Sequence, residues 1–291
     1  MTYLNSAHIN KADIHMHSTA SDGGYSPEVL MKKCVEAKLE LLALTDHDTT
    51  VGLEIARETA ESLGARFIDG IELSTRINGQ SVDILGYGFD IHSTVLQETL
   101  SFHRKMRRER MDRMMEKCQD HGISITIEDI KKQVTGETYS RPHLAKAIIE
   151  KGYAQTVQEV FEKYLGYGKP CYVVKEKEME PSEAIKLIHQ AGGVAIVAHP
   201  IFYNIDEEIE TWFSEYHLDG IEVFHRDHDE EAVKRFLTLA LSVEKKLGKR
   251  IFKTGGSDFH HESFGRVGEE IGLSKLPYEE GERLYQYIYE A

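Results

Sequence analysis

Apolar positions in this chain switch between two periods over its first ninety residues. Short apolar runs at Leu41-Leu42-Ala43-Leu44-Thr45, Phe67-Ile68 and Val82-Asp83-Ile84-Leu85-Gly86-Tyr87 read as strands, most of them buried. Apolar residues spaced three and four apart between them predict helices. Ser26-Pro27 supplies an N-cap followed by proline at the first helical position, opening a helix that runs through Ala37. A second helix is predicted over 51–63, closed by Gly64. Ahead of both, Ala12-Asp13-Ile14-His15-Met16-His17 reads as a further short strand.

Between about residues 93 and 180 the alternation stops and the pattern becomes almost wholly helical, with helices predicted near 94–121, 126–134, 140–151 and 156–165. It resumes at Gly193–Ala198, Gly220–Val223 and Arg250–Lys253. Short strands joined by helical crossovers predict a mostly parallel, closed or nearly closed sheet. The expected architecture is therefore an α/β barrel in two parts, 1–92 and 181–291, interrupted by an α-helical insert or cap over 93–180.

Composition narrows the picture. A chain of 291 residues with 41% hydrophobic content can fill one barrel with an insert. It has no apolar run of about 18 residues, so no membrane span is expected. The opening MTYLNSAHINK lacks the basic-then-apolar order of a secretory signal, and Cys34, Cys118 and Cys171 are too few for a disulfide framework. Both point to the cytoplasm. The net charge of −14 argues against binding an extended nucleic-acid duplex, but not against a small anion held by metal ions. Oligomeric state is not legible.

The chemistry-bearing residues cluster at strand ends. His15 and His17 alternate along one strand and so face the same side, as two nitrogen ligands of one ion must. Asp22 lies in the loop after that strand. Asp46, His47 and Asp48 follow the second strand, and Glu72 follows Phe67-Ile68. His199 comes after Val194–Ala198, and Asp258 and His260 after Phe252–Thr254. These are C-terminal strand ends, the face on which barrel enzymes keep their chemistry. Imidazoles mixed with carboxylates suit zinc, manganese or iron rather than calcium. More than four ligands implies more than one ion, with Glu72 as the natural bridge. His225, after Ile221–Phe224, reads as a leaving-group acid or phosphate ligand.

The segments ADIHMHSTASDGGYSP, LLALTDHDT, GIELS, DILGYG, VAIVAHP and TGGSDFHH resemble the PHP (polymerase and histidinol phosphatase) family of metal-dependent phosphoesterases. Within the insert, SRPHLAKAIIEKGY and FEKYLGYGKPCYV resemble the branch holding nucleoside 3′,5′-bisphosphate phosphatases and 5′-to-3′ exoribonucleases. The resemblance implies a distorted (β/α)7 barrel with a trinuclear centre, and two to three divalent ions, manganese foremost with iron(II) or zinc as alternatives. The implied ligands are His15, His17, Asp22, His47, Glu72, His199, Asp258 and His260. Asp83 stands where many members carry histidine, so it either ligates through oxygen or acts from behind a ligand.

Substrate contacts are expected from the insert. Arg141 and His143 in Ser140-Arg141-Pro142-His143 can bind phosphate, the guanidinium through two parallel hydrogen bonds. Lys169 is a further candidate, as is Arg107, which with His103 interrupts an otherwise apolar helical stripe. Phe202 and Tyr203 are placed to contact a nucleobase. The expected activity is hydrolysis of a nucleotide phosphate ester, either the 3′-phosphate of a nucleoside 3′,5′-bisphosphate or short 5′-phosphorylated RNA. Histidinol-phosphate hydrolysis, amide or lactone hydrolysis and a non-catalytic metal-stabilised module stand as alternatives.

Overall fold

A computed structural model describes residues 11–134, 138–174, 178–264 and 266–290. Seven strands form one sheet in sequence order: β1 (Ala12–Asp13), β2 (Leu41–Leu44), β3 (Arg66–Ile77), β4 (Gln80–Tyr87), β5 (Val194–Val197), β6 (Gly220–His225) and β7 (Phe252–Gly256). The sheet curls until its ends meet. The Asp258 N–H donates to the His15 carbonyl at 2.8 Å and the His17 N–H to the Phe259 carbonyl at 2.8 Å. Across the interior, the buried Tyr87 hydroxyl donates to the Ile14 carbonyl at 2.8 Å.

Helices wrap the outside: α1 (Pro27–Glu36) and α2 (Leu53–Ser62) after β1 and β2, then α7 (Pro181–Gln190), α8 (Asp206–Glu215), α9 (Glu230–Leu247) and α10 (Tyr278–Tyr289). The Ser26 hydroxyl caps α1 by accepting from the Val29 N–H, as its Ser-Pro start predicts. The insert holds α3 (Thr94–Asp120), α4 (Ile127–Lys131), α5 (Arg141–Glu150) and α6 (Val157–Val160), the last running on into a π-helical turn at Phe161–Leu165. Two separate apolar cores result. One fills the barrel and its helix shell. The other lies in the insert, among Met111, Met114, Cys118, Ile130, Leu144, Ile148, Val160, Leu165 and Cys171.

Two strand assignments need correction. The strand begun at Phe67-Ile68 does not stop before Glu72 but runs on to Ile77, and β4 returns antiparallel to it. The cause is a tight hairpin at Asn78-Gly79, with φ of 50° and 83°. An Asn-Gly pair takes up this left-handed geometry readily, and its twist matches that of the flanking strands. Since β4 pairs antiparallel on both sides, the sheet is parallel only elsewhere. The reversal carries Asp83 to the same mouth as Glu72, although it lies in the first half of its strand.

Candidate metal centre

The barrel mouth collects its polar side chains from all seven strands and the turns that follow them. His15 and His17 extend β1, and neither is accessible to solvent. His17 Nε2 lies 3.1 Å from Glu72 Oε2 and 3.1 Å from Asp258 Oδ1. His15 Nε2 is 3.5 Å from the same Glu72 oxygen and 3.6 Å from Asp258. His47 Nδ1 approaches Glu72 Oε2 to 3.2 Å, and His199 Nε2 approaches Glu72 Oε1 to 2.9 Å. Glu72 is thus surrounded by four imidazoles. His260 Nε2 faces Asp22 at 3.3 Å.

These atoms fall into overlapping sets, each within 4.8 Å: His17, Asp22, His47 and His260; His15, His17, Glu72 and Asp258; and His47, Glu72 and Asp83. A fourth set joins His15 to Glu222 and His225. Eight of the nine residues expected to ligate metal therefore fall in the first three sets, and the ninth, His199, joins them through Glu72. Asp83 lies 4.0 Å from His199 Nε2.

A divalent-cation cluster fits this donor set. His15 Nε2, both ring nitrogens of His17, His47 Nδ1 and Glu72 Oε2 are buried and have no hydrogen-bond partner among the described residues. Orphaned buried polar atoms cost free energy unless something satisfies them, and these aim at one another. Without a cation the carboxylates draw protons instead. Burial disfavours the charged His17 ring, yet Asp258 and Glu72 outweigh it and raise its pKa to about 10. His199 rises to about 9 against the same burial, through Glu72 first. Burial opposes the charge on Glu72, but the rings of His47 and His15 hold it well below the usual carboxylate range.

Behind the ligands stand residues that orient them. Glu222, fully buried on β6, accepts from His15 Nδ1 at 2.9 Å and from the His199 backbone N–H at 2.7 Å. It fixes which ring nitrogen of His15 faces the cluster. Burial opposes the charge on Glu222, yet His15 and His225 depress its pKa to about 2. Asp46 accepts from the Ser18 N–H, the Ser18 hydroxyl and the Ser21 hydroxyl, bracing the loop that carries Asp22. Three non-glycine residues of the mouth, Asp48, His199 and Asp258, have φ of 51°, 24° and 49°. Backbone so constrained is costly and is tolerated where it aims functional groups.

The expected substrate contacts divide. Arg141 opens α5 with its guanidinium 5.3 Å from the Phe161 ring and 6.0 Å from the Tyr172 ring, and it forms no ion pair among the described residues. His143 is buried. Its Nδ1 sits 3.2 Å from the Ser140 N–H, which donates to it, and burial lowers its pKa to about 4. Arg107 is already committed: its Nε donates to Asp48 at 2.7 Å and its Nη2 to the Ser74 hydroxyl at 2.8 Å. Lys169 lies on an exposed turn beyond Leu165.

The two aromatic candidates also separate. Tyr203 is buried, its hydroxyl 2.8 Å from His199 Nδ1 and accepting from the Asp83 N–H at 2.9 Å, so it steadies two mouth residues rather than facing solvent. Phe202 is 55% exposed, its ring 5.4 Å from His199 and 6.0 Å from His225. His225 itself is fully buried with Nε2 3.8 Å from Asp258.

Sequence reasoning missed Glu222, although a lone carboxylate inside an apolar strand was the available signal. It also missed Arg266, whose Nη2 donates to the Asp258 carbonyl at 3.0 Å and which pairs with Glu269. Nothing in the local pattern marks Arg266, because its partners are set by the fold of the loop.

The matches to known proteins point the same way. The PHP domain family model matches residues 13–228. The 5′-3′ exoribonuclease Rnm of Escherichia coli is 32% identical over 254 residues, 85% of this chain and 84% of that protein. The 3′,5′-nucleoside bisphosphate phosphatase of Chromobacterium violaceum is 32% identical over 265 residues, 89% of this chain and 90% of that protein. A crystal structure from Bifidobacterium adolescentis, assigned as a metal-dependent phosphoesterase, superposes with a TM-score of 0.84 at 28% identity, covering 94% of each chain. A family match over most of the chain, relatives aligned nearly end to end and a mouth lined with imidazoles and carboxylates that could hold metal agree: the chain belongs to the PHP domain family.

Proposed function

We propose that this protein is a metal-dependent phosphoesterase acting on nucleotides, removing the 3′-phosphate of nucleoside 3′,5′-bisphosphates or trimming short 5′-phosphorylated RNA. The observation that carries the reading is the cluster of buried, unpartnered His15, His17, His47 and Glu72 atoms at a mouth that the Arg141 helix overlooks. The names of the aligned relatives support nucleotide and RNA substrates. We assign His15, His17, Asp22, His47, Glu72, Asp83, His199, Asp258 and His260 to two or three divalent ions, manganese foremost. When bound, such ions make water acidic enough to supply a nucleophile near neutral pH and neutralise charge on the transferring phosphoryl group.

The chain's own groups do the rest. Glu72, with four imidazoles around its two oxygens, would help hold more than one of these ions. His225 Nδ1 accepts the Asp227 N–H at 3.1 Å, so the neutral ring carries its proton on Nε2, the atom facing Asp258. That proton is held where a departing alkoxide would need it, and Nε2 so protonated is not a ligand. Arg141, braced by two aromatic rings and without a carboxylate partner among the described residues, binds a phosphate of the substrate. His143, neutral and with Nδ1 engaged, offers only its Nε2–H as a donor. Arg107 acts indirectly by holding Asp48, and Lys169 contacts only substrates long enough to leave the mouth. The insert over 93–180 serves as the cap that reads the substrate.

The test is a hydrolysis panel, following both inorganic phosphate and released mononucleotide, on the manganese-loaded protein with adenosine 3′,5′-bisphosphate, AMP, a 5′-phosphorylated trinucleotide and histidinol phosphate. Turnover of the bisphosphate or the trinucleotide well above the other two is expected. Preference for histidinol phosphate, or no turnover of any of them, would refute the reading.

A further inference from the structure

Helix α5 carries a second cation, Lys146, three residues beyond His143 and so on nearly the same side of the helix. Its side chain is half-buried, with Nζ 4.4 Å from the centre of the Phe264 ring. Phe264 belongs to the loop after β7, and its ring lies 6.3 Å from that of His260, which faces Asp22. The imidazoles His199, His15, His17 and His260 follow one another across the mouth at ring separations of 5.7, 5.4 and 4.1 Å. Lys146 adjoins the His260 end of this row through the Phe264 ring, and the Phe202 ring lies beside the His199 end.

Among the described residues the Lys146 ammonium has no ion pair and no hydrogen bond; the Phe264 ring face is its partner. Burial disfavours its charge, and Asp22 is the carboxylate that counters this. Asp22 is assigned to a metal ion, which would absorb its negative charge. A partly desolvated ammonium would then have a cluster of cations as its neighbour and no carboxylate to offset it. Like charges in that arrangement repel, and an anion placed between them relieves the repulsion.

We propose that Lys146 is a phosphate-binding residue: its ammonium holds a non-bridging oxygen of the phosphoryl group being cleaved, from the insert side of the mouth. This rests on the phosphoesterase reading and adds to it. At 3.6 residues per turn, Arg141 and Lys146 project about 140° apart around α5. Arg141 turns toward Phe161 and Tyr172 of the insert, leaving it for a different part of the substrate. A single short helix thus presents one rigid fork and one mobile point charge to two separate anionic groups.

The experiment compares the manganese-loaded wild-type protein with Lys146→Met, Lys146→Arg and Phe264→Leu. It measures kcat and KM on adenosine 3′,5′-bisphosphate, inhibition by inorganic phosphate, metal content and thermal midpoint. Loss of a charge-assisted contact should lower kcat/KM of Lys146→Met by about tenfold to a hundredfold and weaken phosphate inhibition, with metal content and midpoint unchanged. Lys146→Arg should recover most of the loss. Phe264→Leu, which keeps the charge, should lose less than Lys146→Met. Unchanged kcat/KM and phosphate inhibition in Lys146→Met, beside an active wild-type protein, would overturn the proposal while leaving the phosphoesterase reading intact. So would a loss that arginine does not rescue and that tracks a lowered midpoint, since that marks a latch between insert and barrel. Should the wild-type protein turn over no ester, calorimetric binding of inorganic phosphate decides: weaker binding by Lys146→Met supports the role, and equal binding refutes it.

Discussion

The direction of single ring nitrogens decides what this mouth can hold. Glu222 receives His15 Nδ1 at 2.9 Å and leaves Nε2 to face Glu72 and Asp258. Glu222→Gln keeps the shape but can present an N–H where an acceptor is needed. Second-layer partners of this kind typically change metal affinity or activity about tenfold to a hundredfold. We expect a loss in that range, read as manganese occupancy by elemental analysis and as turnover, with the fold intact by circular dichroism. Asp83→Asn tests whether Asp83 ligates. Loss of one ion per chain would make Asp83 a ligand, whereas unchanged stoichiometry would leave its carboxylate acting on His199 from 4.0 Å. Gly256 shows how closely the first and last strands approach. A methyl group there would sit 2.3 Å from His15 Cβ, so Gly256→Ala should displace His15 and lower metal content along with stability.

At the scale of elements, the β3–β4 hairpin and helix α5 have most influence on the site. The hairpin turns one strand against the others and thereby returns Asp83 to the mouth that Glu72 already occupies. Helix α5 begins with a capping box between Ser140 and His143, which locks the first turn and aims Arg141 at Phe161 and Tyr172. We expect Arg141→Ala to reduce turnover of a nucleoside 3′,5′-bisphosphate by about tenfold to a hundredfold, the worth of a charge-assisted contact, without change in metal content. A larger loss on the bisphosphate than on AMP would place the guanidinium on the retained phosphate. Equal losses would place it on the one being cleaved. Undiminished rates on both would remove Arg141 from the site.

Over the whole molecule, metal binding, protonation and stability are linked. In the metal-free chain His17 and His199 have pKa values near 10 and 9, above their ordinary 6.5. Groups raised on folding contribute stability that is fully present below the unfolded value and is lost as pH climbs through the folded one. The thermal midpoint with chelator should therefore fall between about pH 6.5 and 9. Metal ions require the same rings unprotonated, so binding must release protons, and the gain in midpoint on adding manganese should grow over that interval. Thermal scans with and without manganese, and proton release on titration in weak buffer, check both signs. A manganese effect independent of pH would mean that the imidazoles are not the ligands. No described helix is long and apolar enough to cross a membrane, in keeping with the hydropathy of the chain.

The alternation of apolar runs and amphipathic helices was enough to foresee a barrel and a helical insert, because both periods are local properties of the backbone. The convergence of the candidate ligands was legible for a related reason. Most of its members sit just past the ends of strands, and a closed barrel gathers its strand ends at one mouth. The partners of those ligands were not legible. Glu222 reaches His15 across 207 positions, Arg107 is captured by Asp48 across 59, and Arg266 joins a loop whose path no periodicity encodes. Which of two adjacent aromatics, Phe202 or Tyr203, faces solvent also depends on a short 3-10 turn after His199. Chain pattern therefore determined the architecture and which residue types gather at the mouth. Only the tertiary structure decided which charges are already neutralised by neighbours and which, like those of Arg141 and Lys146, meet aromatic rings and no carboxylate among the described residues, because pairing depends on distances between segments that the linear order does not contain.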